Sequence, residues 1–167
     1  YQLVEDPEQF YQSGSSFGHF LKQLGNYPAS RLIETIPDFH NTVKRYHAFE
    51  VARKRDLKNR AASCKKEIAF VQKREKDCAV LVRQQEDGTL PLRVTHNDTT
   101  AEEDEKDLSK MHFDIGLYEL FAKGYLEETK DVLTEAEIQS LPWGARVITL
   151  ECGIRFLTDY LQGDTYF

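Results

Sequence analysis

In Val94-Thr95-His96-Asn97-Asp98, residue types and spacing are suited to chemistry. A carboxylate on a loop after a short apolar element can accept a hydroxyl proton, or orient that hydroxyl for attack. His96, two residues earlier, reads as a side chain that holds the loop through backbone hydrogen bonds. On pattern alone a plainer account prevails: a turn in which Asn97 and Asp98 cap local amides. Other chemistries lack their signatures. There is no G-x-x-x-x-G-K-S/T, G-x-G-x-x-G, G-x-S-x-G or H-E-x-x-H. His19, His40, His47, His96 and His112 form no zinc-spaced set with the cysteines. Cys64, Cys78 and Cys152 form no C-x-x-C pair and lack flanks that lower a thiol pKa. They read as reduced, buried structural thiols, and a cytoplasmic location is expected.

The elements that must position such a loop are helical. Asp6-Pro7-Glu8 is a helix start, with Asp6 capping and Pro7 in the first helical position. Phe10, Phe17, Leu21 and Leu24 follow at helical spacing, and Gly25 is placed to terminate. Gly14 and Gly18, one turn apart, allow close approach of another element. After a connection containing Pro28 and Pro37, Thr42 is placed to cap a second helix carrying Val43, Tyr46, Phe49 and Ala52. A long helical pattern runs from about Ala61 to Glu86, with Ile68, Val71, Cys78, Leu81 and Val82 on one stripe. Leu90–Thr95 reads as a brief extended element delivering the polar loop. The acidic run from Ala101 to Asp107 suits a helix start, and Phe113, Leu117, Leu120, Phe121 and Tyr125 continue it. Thr134 and Glu137 form a capping box for a last helix holding Ile138, Leu141, Val147, Ile148, Leu150, Ile154, Leu157 and Leu161. Pro142 and Gly144 are expected to kink or divide it, and Trp143 reads as core. The fold class is predominantly α, with at most a short β element near the loop.

The 167 residues carry 22 basic and 28 acidic side chains, a net charge of −6 that disfavours nucleic acid or an acidic membrane as partner. Basic clusters such as Arg53-Lys54-Arg55 are interspersed with acids, as on a solvated helix face. No apolar run approaches the ~20 residues of a membrane span. The length suits one domain, 1–167. The sequence starts at Tyr1 rather than Met and ends directly after a helical pattern, so part of a longer polypeptide is expected.

Leu90-Pro-Leu-Arg-Val-Thr-His-Asn-Asp98 resembles the catalytic loop, H-x-D-x-x-x-x-N, of the aminoglycoside phosphotransferase and choline kinase superfamily, a branch of the protein-kinase-like fold. Other segments are similar to bacterial N-acetylhexosamine 1-kinases. They are Ile36-Pro-Asp-Phe-His-Asn-Thr42 with Arg45-Tyr46, Arg60-Ala-Ala-Ser63, Phe113–Leu126 and Leu150–Phe167, in the family's order and over nearly the whole chain. The resemblance implies the helical C-terminal lobe of a two-lobed kinase that uses ATP and Mg²⁺ to phosphorylate the anomeric hydroxyl of an N-acetylhexosamine. It implies that Asp98 is the catalytic carboxylate, with His96 and Asn97 as structural members of the loop. Arg155 and Tyr166 match positions that contact the sugar in that family. Arg155 brings five donors, and Tyr166 a ring face and a hydroxyl. The plainer account pairs Arg155 with Glu151 or Asp159, one turn away on either side, and packs Tyr166 on the last helix. His40 and Asn41 match a family segment and are read as structural.

The sequence also departs from the family. Glu103 stands five residues after Asp98, where a metal-binding asparagine is expected. The hairpin that supplies a metal-binding aspartate, and the N-terminal lobe with its phosphate-binding lysine, are missing. The metal ligands are therefore unassigned, and a catalytic segment dropped after Thr100 is expected. The fragment alone is expected to be inactive. Choline as acceptor calls for an aromatic cage and an aminoglycoside for a strongly acidic pocket, and the hexosamine-type C-terminal segment disfavours both. Sulfatase chemistry requires C/S-x-P-x-R, which no cysteine here begins. A non-catalytic helical interaction module or pseudokinase remains the alternative outside catalysis.

Overall fold

The computed structural model describes residues 6–33, 36–94 and 114–165. It is predominantly helical, without a strand among the described residues. No helix among them is long and apolar enough to cross a membrane. The chain divides into two compact units, each built from two separate stretches: Tyr1–Leu32 with Leu92–Thr134, and Ile33–Pro91 with Glu135–Phe167.

Among the described residues the first unit holds a helix pair, α1 (Glu8–Gln23) and α6 (Ile115–Thr129). The helix begins at Glu8, so Pro7 takes the cap position rather than the first helical one, and Asp6 stands one residue further out, accepting from the Glu8 amide at 3.0 Å. Gly25 lies two residues past the end of α1, and its amide bonds back to the Lys22 carbonyl at 3.2 Å. The pair is close because small residues face each other. A Cβ at Gly14 would lie 2.0 Å from the Phe121 carbonyl oxygen, and one at Gly124 2.2 Å from that of Tyr11. Phe17 and Phe121 pack beside this contact with ring centroids 5.9 Å apart. Tyr11 donates to Glu127 at 2.6 Å, a bond that raises the phenol pKa. Asp114 caps α6 by accepting from the Gly116 and Leu117 amides.

The second unit holds α2 (Thr42–Arg55), α3 (Lys65–Gln72), α4 (Glu75–Cys78), α5 (Val80–Glu86) and α7 (Glu135–Gln162). Tyr46, Phe49 and Ala52 recur at helical spacing on α2 and meet Ile154, Leu157 and Leu161 of α7, with Ile68, Val71 and Cys78 completing the core. Phe49, Ile154 and Leu161 are fully buried.

Three local expectations change. The long helix from Ala61 to Glu86 is three short ones. Residues 72–77 offer no apolar anchor, and non-helical backbone at Arg74 interrupts the ladder. Pro142 does not divide α7, which runs unbroken for 28 residues. A proline removes one amide from the ladder, and the turns on either side carry the helix through. Thr42 is not the cap of α2 either. Asn41 is, its side chain accepting from the Lys44 amide at 3.0 Å. Residues 91–94 have no regular structure, and the rest of the expected extended element, with the acidic run, lies outside the described residues.

Candidate functional site

Of the residues singled out from sequence, His96, Asn97, Asp98, Glu103 and Tyr166 lie outside the described residues. Arg155 is described. It stands half-buried on α7, in a polar cluster where that helix meets the start of α2.

The cluster is built around a buried carboxylate. Glu151 is 1% exposed, one turn before Arg155 on the face of α7 that carries Val147 and Ile154. A carboxylate so placed is costly unless hydrogen-bonded. Thr42 donates its hydroxyl to Oε2 at 3.2 Å, and His40 Nδ1 lies 3.2 Å from Oε1. With Nδ1 donating, each carboxylate oxygen has a partner from outside α7. Thr42 thus gives its hydroxyl to α7 rather than to its own helix, which explains why capping falls to Asn41.

The loop before α2 is held from several sides. Asp38 adopts a left-handed φ of 59°. Its carboxylate binds Lys44 Nζ and accepts from the Asn41 side chain at 3.3 Å. The Lys44 contact, reinforced by Asn41, holds the Asp38 pKa below the usual carboxylate range. Arg45 donates through Nε and Nη2 to the Phe39 carbonyl, at 3.2 and 2.9 Å. The Phe39 ring is the centre of the loop. His40 stands edge-on to it, with centroids 4.7 Å apart and planes at 84°. The Arg155 guanidinium carbon lies 5.2 Å from the ring centroid and that of Arg45 5.4 Å.

The expected pairing of Arg155 with Glu151 is not the arrangement found, because the Glu151 oxygens serve His40 and Thr42. Asp159, the other candidate, accepts through Oδ1 from the amide and hydroxyl of Thr165 at 2.9 and 2.8 Å. Arg155 instead presents its guanidinium over an aromatic face. A guanidinium stacked on an aromatic face keeps a fixed orientation.

A second polar group steadies the far end of α7. Arg60 donates to the Tyr160 carbonyl at 2.9 Å and to Asp164 at 2.6 Å, its guanidinium lying 4.6 Å from the Tyr160 ring centroid. Asp56 accepts from the amides of Arg60 and Ala61 at 2.7 and 3.0 Å, shaping the loop from which Arg60 reaches out. These contacts fix the course of the chain as far as Thr165. Trp143 is half-buried, with the Arg146 guanidinium over its ring, so it is neither fully core nor an open stacking platform.

Among the described residues no group of three or more His, Cys, Asp or Glu is placed to hold a metal ion.

Sequence reasoning missed Glu151, and with it the roles of His40 and Thr42. The signal was present. In the last helix Val147, Glu151, Ile154 and Leu161 share one stripe, so a carboxylate sits at a core position. A core carboxylate requires donors from another element, and His40 and Thr42 lie in a segment already singled out by likeness. No protein-family model matches the chain.

Proposed function

We propose that this chain is the helical substrate lobe of an ATP-dependent kinase that phosphorylates the anomeric hydroxyl of an N-acetylhexosamine. The observation that carries the reading is the ordered run of family-like segments, from Ile36–Thr42 through the Leu90–Asp98 loop to Leu150–Phe167. The geometry of the second unit is consistent with it. Two of those segments meet at the Phe39–Arg155 contact, where the guanidinium is oriented over an aromatic ring.

In this reading Asp98 orients the acceptor hydroxyl and takes its proton, the work of a loop carboxylate in phosphoryl transfer. Arg155 binds hydroxyl or N-acetyl oxygens of the sugar, and Tyr166 offers a ring face and a hydroxyl. Phosphoryl transfer depends mainly on positioning and charge neutralisation. An N-terminal lobe and metal ligands from outside this sequence would supply the nucleotide site and Mg²⁺.

The test uses the intact polypeptide. Its sequence around Thr100 should hold the full H-x-D-x-x-x-x-N loop and a downstream metal-binding aspartate. Asp98→Asn should abolish ATP-dependent phosphorylation of N-acetylhexosamine while leaving the fold intact. Retained turnover would remove Asp98 from its role. The 167-residue chain alone should transfer no phosphate from ATP, and measurable transfer would overturn the two-lobe account. Glu103 at the position of the expected asparagine favours a second reading, a non-catalytic helical module or pseudokinase. That reading takes over if the intact sequence lacks both metal ligands.

A further inference from the structure

The buried Glu151 is poorly explained by stability alone. An apolar side chain of similar volume in its place often packs as well or better, because a buried charge must recover its desolvation cost through ideal partners. One partner, Thr42, is itself buried and supplies a single hydrogen bond. The other, His40, is drawn from a side chain that is half exposed to solvent. What the second bond fixes is the orientation of the imidazole. Held at Nδ1, the ring stands edge-on to Phe39 at 4.7 Å and limits how that ring can turn. Arg45 clamps the Phe39 carbonyl, so the backbone under the ring is fixed as well. The Phe39 ring in turn lies 5.2 Å from the guanidinium carbon of Arg155. The sequence of contacts leaves α7 at Glu151, passes through His40 and Phe39, and returns to α7 one turn later at Arg155.

We propose that His40, tethered by Glu151, is a positioning residue that fixes the Phe39 ring as the platform for the Arg155 guanidinium. Its consequence for ligand binding rests on the sugar-kinase reading given above, but the positioning itself does not. The proposal accounts for a carboxylate in the core and for a histidine bonded to it through the nitrogen nearer its own backbone.

The experiment is nuclear magnetic resonance on the 167-residue chain, following the Nε–H signal of Arg155, which the Phe39 ring current displaces upfield. In His40→Ala the displacement is lost. In His40→Gln, whose side-chain amide can donate to Glu151, it is largely restored. In Phe39→Leu it is lost although His40 is intact. An unchanged Arg155 signal in His40→Ala overturns the proposal. Should His40→Ala fail to fold, His40→Phe serves in its place. It keeps an aromatic edge but cannot bond to Glu151, and a wild-type signal there overturns the tether.

The same signal is then followed during titration with N-acetylglucosamine and N-acetylgalactosamine. Binding by His40→Ala should be about fivefold weaker than wild type, the size of a lost exposed cation–π contact. His40→Gln should recover most of that loss. Sugar binding equal in wild type and His40→Ala, with the ring-current displacement lost, supports the positioning and overturns its consequence for ligand binding. No sugar response in the wild type, with the ring-current pattern as expected, supports the positioning role and overturns the sugar reading.

Discussion

Replacing Gly14 by alanine sets helix propensity against helix packing, and the two give opposite signs. In an isolated helix the change is favourable by about 1 kcal/mol, because glycine loses the most backbone freedom on folding. In this protein the new methyl group would lie 2.0 Å from the carbonyl oxygen of Phe121 and 2.8 Å from its carbonyl carbon. Both are backbone atoms of α6, so no side chain can swing aside. The helices must separate by about 1 Å or more, and a gap of that size forfeits a quarter to a half of each dispersion contact across the interface. Overpacking of a well-fitted contact costs roughly 1–3 kcal/mol, and a clash with backbone belongs at the upper end. Subtracting the propensity gain leaves a net destabilisation of about 2 kcal/mol, or a fall of about 8–16 °C in the melting temperature of the first unit. Urea unfolding followed by circular dichroism measures it. Gly144→Ala is the control: no atom lies within 4 Å of its Cβ position, so only propensity acts and the variant gains up to about 1 kcal/mol. A Gly14→Ala variant as stable as wild type would refute the packing argument.

Further perturbations separate roles that neighbouring residues share. Asn41→Ala should cost about 1 kcal/mol by removing the α2 cap, whereas Asn41→Asp should be nearly neutral; equal urea midpoints for Asn41→Ala and wild type would assign the cap elsewhere. Thr42→Val should cost roughly 1–2 kcal/mol without uncapping α2, because its hydroxyl serves the buried Glu151; an undiminished midpoint would show that the carboxylate does not need that donor. Burial pushes the Cys78 thiol up to about 11, so in the native state it should resist a thiol-labelling reagent near pH 8 and react on unfolding. Because the folded thiol stays protonated where the unfolded one ionises, its contribution is fully present below about pH 8.5 and is lost as pH rises towards about 11. Cys78→Ala should flatten that alkaline decline, and an equally steep decline in the variant would exclude Cys78 as its source.

The helices of this fold were legible where apolar residues recur at helical spacing and a cap stands in front of them. Phe10 to Leu24 behind Asp6-Pro7, and Tyr46, Phe49 and Ala52, follow the pattern as read. The close approach at Gly14 was legible too, since small residues one turn apart have few other uses. Less legible was the break between Val71 and Cys78. The core residues on its two sides keep a helical phase, so periodicity could not reveal the turns between them. The choice between Asn41 and Thr42 as cap depended on a partner more than a hundred residues away. Both side chains can cap, and the buried Glu151 claims one of them. Arg155 raised the same difficulty. Sequence offered it two acids one turn away, and the fold gave both oxygens of Glu151 to another element. Hydrogen-bond competition across the fold is invisible to local spacing.

Both units are assembled from stretches that are far apart in the chain, and this bears on the order in which the protein can be made. The helices α2 to α5 emerge before the residues that cover them, Ile154, Leu157 and Leu161, which follow them by some seventy residues or more. Until then Phe49, Ile68 and Val71 have no α7 to pack against. Closing the intervening loop costs entropy that only the completed contact repays, so the second unit is a late-folding one. An apolar face left waiting on the ribosome is open to chaperones and to misassociation. Premature termination anywhere before α7 would therefore leave the α2 to α5 helices without their cover, not a smaller version of the same unit.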